Sequence, residues 1–203
     1  INRHLNQRSE MLSGISHDLR TPLTRLKLQL AMLDQKEISK KMSKDIDEME
    51  KMLNDYLQFA KTQTHERSTA ININQFLNEI KNDLNNERLH LDANHSEVIL
   101  VARRNALKRC LGNLIQNGLA YGKNVHIKFF QTSNRLIFLI EDDGPGIPTE
   151  EHKNVFKPFF RLDKSRSLNT AGIGLGLSIS EDIVNSHGGS IQLSESKYSG
   201  LMV

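Results

Sequence analysis

The sequence contains a single cysteine, Cys110, among its 203 residues. An intrachain disulfide and a cysteine-based zinc site are both excluded, and a reducing cytoplasm suits such a chain. No run of about 18 apolar residues occurs, and no leader pattern opens the chain, so no stretch of it is expected to span a membrane. The formal charge of +3 is too small to argue for a nucleic acid partner or for attraction to a membrane surface. His4, His65, His90, His95, His126, His152 and His187 show no H-x-x-x-H or similar metal spacing. G-x-x-x-x-G-K-[ST] is missing, which excludes a conventional P-loop, and there is no internal repeat or low-complexity tract. The chain opens on Ile1 and stops at Leu201-Met202-Val203, in what reads as the middle of a strand, so it is expected to be a fragment of a longer protein.

What the chain does have is concentrated first in Ser16-His17-Asp18-Leu19-Arg20-Thr21-Pro22. Residues four apart share a helix face, so His17 and Thr21 look out together while Asp18 stands beside the imidazole. Leu12, Ile15, Leu19, Leu26 and Leu33 form a heptad seam with Pro22 at one of its places. At about 100° per residue, His17 lies roughly 200° from Ile15 and Leu19 and faces solvent. Pro22 removes a backbone hydrogen bond at a cost of about 3 kcal/mol, which is useful only if a bend beside His17 is useful.

The second helix, from about Glu37 to Glu66, carries a seam of Met42, Ile46, Met49, Leu53, Tyr56 and Ala60. The polar turn near Asp34-Gln35-Lys36 makes the pair antiparallel. An isolated hairpin cannot bury both seams, so pairing with a second copy into a four-helix bundle is expected, although a plain coiled-coil stalk would use the seams equally well. Periodicity stops near Arg67-Ser68-Thr69. The expected organisation is a two-helix domain over 1–66, a linker over 67–70 and an α/β sandwich over 71–203 whose last strand is cut short. Within the sandwich, strands are expected at Ile71–Ile73, Val98–Ala102, Val125–Phe130, Arg135–Glu141, Ile191–Leu193 and Leu201–Val203. Helices are expected over Asn74 to about Glu87, over 104–120, and over Leu175–His187, the last ended by Gly188-Gly189.

Chemistry-bearing residues recur along this second part. Asn113 and Asn117 are four apart on one helix face, and an amide carbonyl oxygen is a hard ligand suited to Mg²⁺. Asp142-Asp143-Gly144-Pro145-Gly146 follows a strand. An ionised Asp142 only accepts hydrogen bonds, so it can take the exocyclic amino group of adenine and repel the oxygen of guanine. Gly144 and Gly146 let backbone approach the base. Gly172-Ile173-Gly174-Leu175-Gly176-Leu177 opens a helix, where free N–H groups favour an anion. A dinucleotide fold fails there, because the spacing is not G-x-G-x-x-G and no strand immediately precedes it. Cys110 falls on the apolar face of its helix and is expected in the core.

The stretch from Ser16 to Arg25 resembles the H box of bacterial sensor histidine kinases, in particular those similar to the osmolarity sensor EnvZ. Four further boxes follow in order, so the resemblance covers nearly the whole chain: N box at Asn113 to Asn117, D-x-G-x-G at Asp142, F box at Val155 to Arg161, and the glycine loop at 172–177. The fold implied is a dimeric four-helix bundle followed by the Bergerat-type ATP-binding sandwich shared with Hsp90, MutL and type II topoisomerases. The resemblance implies autophosphorylation of His17 from ATP with Mg²⁺ held by Asn117, Asp18 handling the second imidazole proton, and transfer to an aspartate of a response-regulator receiver domain. Thr21 occupies the position that orients water for dephosphorylating the regulator, so phosphatase activity is implied too. Phe159 and its neighbours would anchor a mobile lid, with Arg161 or Arg166 neutralising phosphate, and Tyr121, Lys123, Gly172, Gly174, Leu175, Gly176 and Leu177 would complete the nucleotide site. The implied place is the cytoplasmic portion of an inner-membrane bacterial sensor, with membrane segments outside this chain. One position departs from the pattern: Ala120 stands where the family carries a basic residue, and Lys123 is the nearest replacement. A weakened, phosphatase-dominant or scaffold member therefore stays open, as does another ATPase of the same fold, which needs no phospho-acceptor histidine.

Overall fold

The structure, a computed structural model, describes residues 22–30, 38–40, 42–47, 49–50, 66–92, 97–162 and 174–203. The chain divides into two compact units, residues 1–66 and 67–203. In the first, the described residues before Glu66 are all helical. Lys27 Nζ meets Asp47 Oδ1 and Glu50 Oε2, each at 2.7 Å, and Ser39 Oγ donates to the Leu30 carbonyl at 2.6 Å. Position 30 thus lies near 39 while 27 lies near 47 and 50, so the two helical stretches run antiparallel. Leu30 and Ile46 are buried, whereas Leu26, Met42 and Met49 stay 43–45% exposed in a single chain.

The second unit begins with β1 (Thr69–Asn72), two residues before the expected strand, because pairing with β3 (Ile99–Ala102) starts at Thr69 opposite Ala102. These two strands form their own antiparallel ribbon, apart from the main sheet. Helix α1 (Ile73–Leu84) is capped by Asn72, whose side chain accepts the Gln75 N–H at 3.2 Å. It ends before the expected Glu87 because Asn85 takes a left-handed φ of 42° and turns its N–H back to Lys81. The residues so released allow β2 (Leu89–Leu91), a strand that was not expected.

The main sheet has the order β2-β4-β5-β7-β6. β4 (Val125–Gln131) pairs parallel with β2 and antiparallel with β5 (Leu136–Asp142). β7 (Leu201–Met202) pairs with β5 and with β6 (Ser194–Glu195), and Val203 extends the pairing through reciprocal 2.9 Å bonds with Ile140. The penultimate strand is therefore Ser194–Glu195 rather than Ile191–Leu193, since the turn closed by Ser196 N–H to Gly200 O sets that register. Alternation puts Val125, Ile127, Phe129 and Ile140 on the buried side, under the helices.

Helix α2 (Arg104–Tyr121) lies on β4 and β5 and packs along α3 (Gly176–Ser186). Cys110 and Ser180 meet in that contact: Ser180 Oγ donates to Gly176 O at 2.9 Å and to Cys110 O at 3.3 Å. Both are buried, as expected for Cys110, and burial pushes its thiol up to about 11. Phe76 of α1 is fully buried with Ile71, Ile73 and Ile80. Phe76→Ala is expected to destabilise this unit by about 3–5 kcal/mol. Denaturant unfolding should show a lower midpoint with an unchanged slope.

Candidate functional site

Strand β5 ends on Asp142, and the carboxylate there is almost wholly buried. Its Oδ1 accepts the backbone N–H of Gly144 at 2.9 Å and of Leu201 at 3.0 Å. Oδ2 faces Gly118 of α2 and has no donor among the described residues. An ionised oxygen left in that position fits an amino group brought by a ligand. Gly200 makes the arrangement possible: a Cβ there would lie 2.6 Å from the Gly144 nitrogen and closer still to the Asp142 carbonyl. Gly200 and the Leu201 N–H are absent from the expected site. The one local hint was a glycine directly before the closing strand.

Asn113 and Asn117 are both half-buried on α2. Asn113 Nδ2 donates to the Gly176 carbonyl at 3.3 Å, tying α2 to the first turn of α3. Asn117 Nδ2 lies 4.0 Å from where a Gly176 Cβ would stand and has no hydrogen-bond partner among the described residues. An amide carbonyl oxygen is a hard ligand, and the described residues hold no group of three His, Cys, Asp or Glu side chains that could take a metal ion. The residues fit Mg²⁺ only if phosphate and water oxygens supply most of its shell, which is how that ion is ordinarily bound.

Gly174, Leu175, Gly176 and Leu177 lead into α3, and no side chain caps its first N–H groups. An anion can take them. Gly174 O accepts the Phe159 N–H at 2.9 Å, so the F-box segment and the glycine segment are joined. Phe159 itself is 57% exposed, and Arg161 is half-buried. Gly146, with φ of 69°, sits against Gly200. Tyr121 presses its main-chain carbonyl toward Gly144, while the Lys123 side chain is exposed. Ala120 is exposed on the face of Asn117. His17, Asp18, Thr21, Arg166 and Gly172 lie outside the described residues. The described residues thus bring Asn113, Asn117 and Gly176 into one group, and Asp142, Gly144, Gly146 and Gly200 into another beside it across α2.

Burial pushes the Asp142 carboxyl up from the ordinary aspartate range. The N–H groups of Leu201 and Gly144 oppose the shift, and the neighbouring charge of Asp143 adds to it. The ionised form accepts an amino group more strongly than the protonated one, which turns one of its oxygens into a donor. ATP affinity is therefore expected to be full above the raised value and to fall as pH drops through it, before a surface aspartate would titrate. Equilibrium titration of ATP between neutral pH and the onset of acid unfolding measures this.

A family model described as the histidine kinase-, DNA gyrase B- and HSP90-like ATPases matches residues 102–203, and one described as the His Kinase A (phospho-acceptor) domain matches residues 7–65. The sensor histidine kinase GtrS of Pseudomonas aeruginosa is 36% identical over 205 residues, covering 100% of this chain and 42% of that protein. The chain spans about half the length, or less, of the curated relatives it matches. Among solved structures, the histidine kinase domain of the E. coli osmosensor EnvZ is 29% identical with a TM-score of 0.52, over 70% of this chain and 88% of that one. Full-length ShkA in complex with AMPPNP shares the fold at 20% identity, with a TM-score of 0.73 over 95% of this chain and 44% of that one. This chain belongs to the histidine kinase-, DNA gyrase B- and HSP90-like ATPases, and it carries the phospho-acceptor domain of the sensor histidine kinases ahead of the ATPase domain.

Proposed function

We propose that the chain is the catalytic core of a homodimeric sensor histidine kinase, in which residues 1–66 carry the phospho-acceptor, 67–70 link, and 71–203 bind ATP. The observation that carries this reading is Asp142: a buried carboxylate with one oxygen spent on two backbone N–H groups and the other turned to the site. Adenine is recognised there through its amino group. Asn113 steadies the glycine loop, and the first N–H groups of α3, with Arg161 or Arg166 and with Lys123 in place of the missing cation, meet the phosphates. Mg²⁺, held through Asn117, would neutralise charge on the phosphate oxygens.

Phosphoryl transfer asks mainly for positioning and charge neutralisation. Neutral His17 attacks the γ-phosphorus with one ring nitrogen as the bond to the ADP oxygen breaks, and Asp18 takes or polarises the proton on the other nitrogen. The phosphoramidate then passes its phosphoryl group to an aspartate of a response-regulator receiver domain. Thr21, four residues after His17 in the sequence, orients water for the reverse duty of dephosphorylating the regulator. The exposure of Leu26, Met42 and Met49 in a single chain supports pairing with a second copy. The whole protein is read as an inner-membrane bacterial sensor whose cytoplasmic portion includes this chain; among the described residues no helix is long and apolar enough to cross a membrane.

Ala120 favours a second reading, a nucleotide-binding scaffold or a phosphatase-dominant member, because the exposed face beside Asn117 lacks the family's cation. Incubation with γ-labelled ATP and Mg²⁺ separates the two. The kinase reading predicts acid-labile, alkali-stable label on the native chain and none on His17→Gln. Measurable ATP binding with no label on the native chain would leave the second reading standing.

A further inference from the structure

The turn that follows α2 is gripped from two sides. Arg88, in the turn before β2, sends its guanidinium to three main-chain carbonyls: Nε donates to Lys123 O at 2.5 Å, and Nη2 donates to Leu119 O at 2.8 Å and to Gly122 O. Asp143 takes the neighbouring amides. Its Oδ1 accepts the N–H of Lys123 at 2.5 Å and of Asn124 at 2.9 Å, and its Oδ2 accepts Asn124 Nδ2 at 2.9 Å. Six hydrogen bonds from two oppositely charged side chains thus converge on four residues, Leu119, Gly122, Lys123 and Asn124. A cation on the last carbonyls of a helix also meets the negative end of its dipole. An ordinary β-turn is closed by one such bond.

What this turn borders gives the grip a purpose. The Tyr121 carbonyl carbon and oxygen lie 3.1 Å from where a Gly144 Cβ would stand, and Asp143 sits between Asp142 and Gly144 in the chain. The side chain of Asp143 points to the turn while its neighbour Asp142 serves the nucleotide. The backbone N–H and the side chain of Asn124, with the Lys123 N–H, hold the Asp143 carboxyl down to about 2, so it stays ionised wherever the protein is folded and active.

We propose that Arg88 and Asp143 are positioning residues for ATP: they touch the Tyr121–Asn124 turn rather than the nucleotide, and by fixing that turn against Gly144 they set the affinity of the site. The proposal rests on the nucleotide-binding reading above. It makes Asp143 distinct from its neighbour, since an amide oxygen can still accept both N–H groups at Oδ1 and Asn124 can turn its own amide to match.

The test uses the full 203-residue chain. KM for ATP in the labelling of His17, the labelling rate at saturating ATP and the ATP dissociation constant are measured for Asp143→Ala, Asp143→Asn, Arg88→Ala and Gly122→Ala. The last variant leaves the charge in place but sets a methyl 2.7 Å from Asp143 Oδ1 and 3.2 Å from Asp142 Cβ, so it disturbs the turn together with both aspartates and keeps the turn testable should Asp143→Ala not fold. The expected result is a rise of about tenfold in KM and Kd for Asp143→Ala and Gly122→Ala, equivalent to losing about 1.4 kcal/mol. The saturated rate should stay within about twofold and Asp143→Asn within about threefold of the native affinity, a split and a rescue that plain loss of stability would not give. Arg88→Ala combined with Asp143→Ala should cost less than the product of the two, because both act on one turn. Native ATP affinity in Asp143→Ala and Gly122→Ala overturns the grip and leaves the nucleotide site standing, as does an Asp143→Asn variant as weak as Asp143→Ala. A native chain that binds no ATP overturns both.

Discussion

The α/β unit depends on one buried charge. Asp142 ends the strand that runs between β4 and β7, and its Oδ1 is held by N–H groups that come from two different places, Gly144 just beyond it and Leu201 from the closing strand. Placing an ionised carboxylate in the interior costs several kcal/mol unless it is compensated. Two hydrogen bonds to a charged acceptor return about 1.5–3 kcal/mol each. Burial nonetheless raises its proton affinity above that of an ordinary aspartate. In the proposed reading, a ligand amino group on Oδ2 would add to that compensation and make the group selective.

The other parts of the site serve that geometry. β7 exists as a strand of only two residues, yet its Leu201 N–H is the second donor to Asp142, and its neighbour Gly200 has to be a glycine for the backbone to come so near. Helix α2 lies across both halves, with Gly118 facing Asp142 and Asn113 reaching Gly176 at the start of α3. The Ser180 to Cys110 contact fixes the pair of helices that span this distance. In the proposed division of labour, residues 71–203 bind and orient ATP, while residues 1–66 carry the phospho-acceptor.

Much of this was legible in the sequence where the signal is local. The i to i+4 spacing of Asn113 and Asn117 fixes a shared face whatever surrounds it, and the D-x-G-x-G run and the glycine loop carry their chemistry in consecutive residues. The antiparallel helix pair followed from its seams and short polar turn, and Lys27 with Asp47 and Glu50 agrees with it. What escaped depends on distant backbone. Leu201 donates through its main chain to a residue 59 positions earlier, and Arg88 reaches carbonyls 31 to 35 positions on, so no spacing rule marks either. β2 escaped for the opposite reason: three residues are too few for a period, and it forms because Asn85 stops α1 early.

In the proposed site, the outer oxygen of Asp142 reads the base through its amino group. The direct measurement is competition between ATP and inosine triphosphate, in which a carbonyl oxygen replaces the amino group and N1 carries a hydrogen, on the native chain and on Asp142→Asn. Asparagine keeps an oxygen for Gly144 and Leu201 and presents NH₂ where Oδ2 stood, so the preference should change sides. The native chain is expected to favour ATP by about 10- to 100-fold, from the worth of a hydrogen bond to a charged group, and Asp142→Asn to lose or reverse that preference. Equal binding of the two nucleotides by the native chain, or a preference unchanged in the variant, would contradict the account.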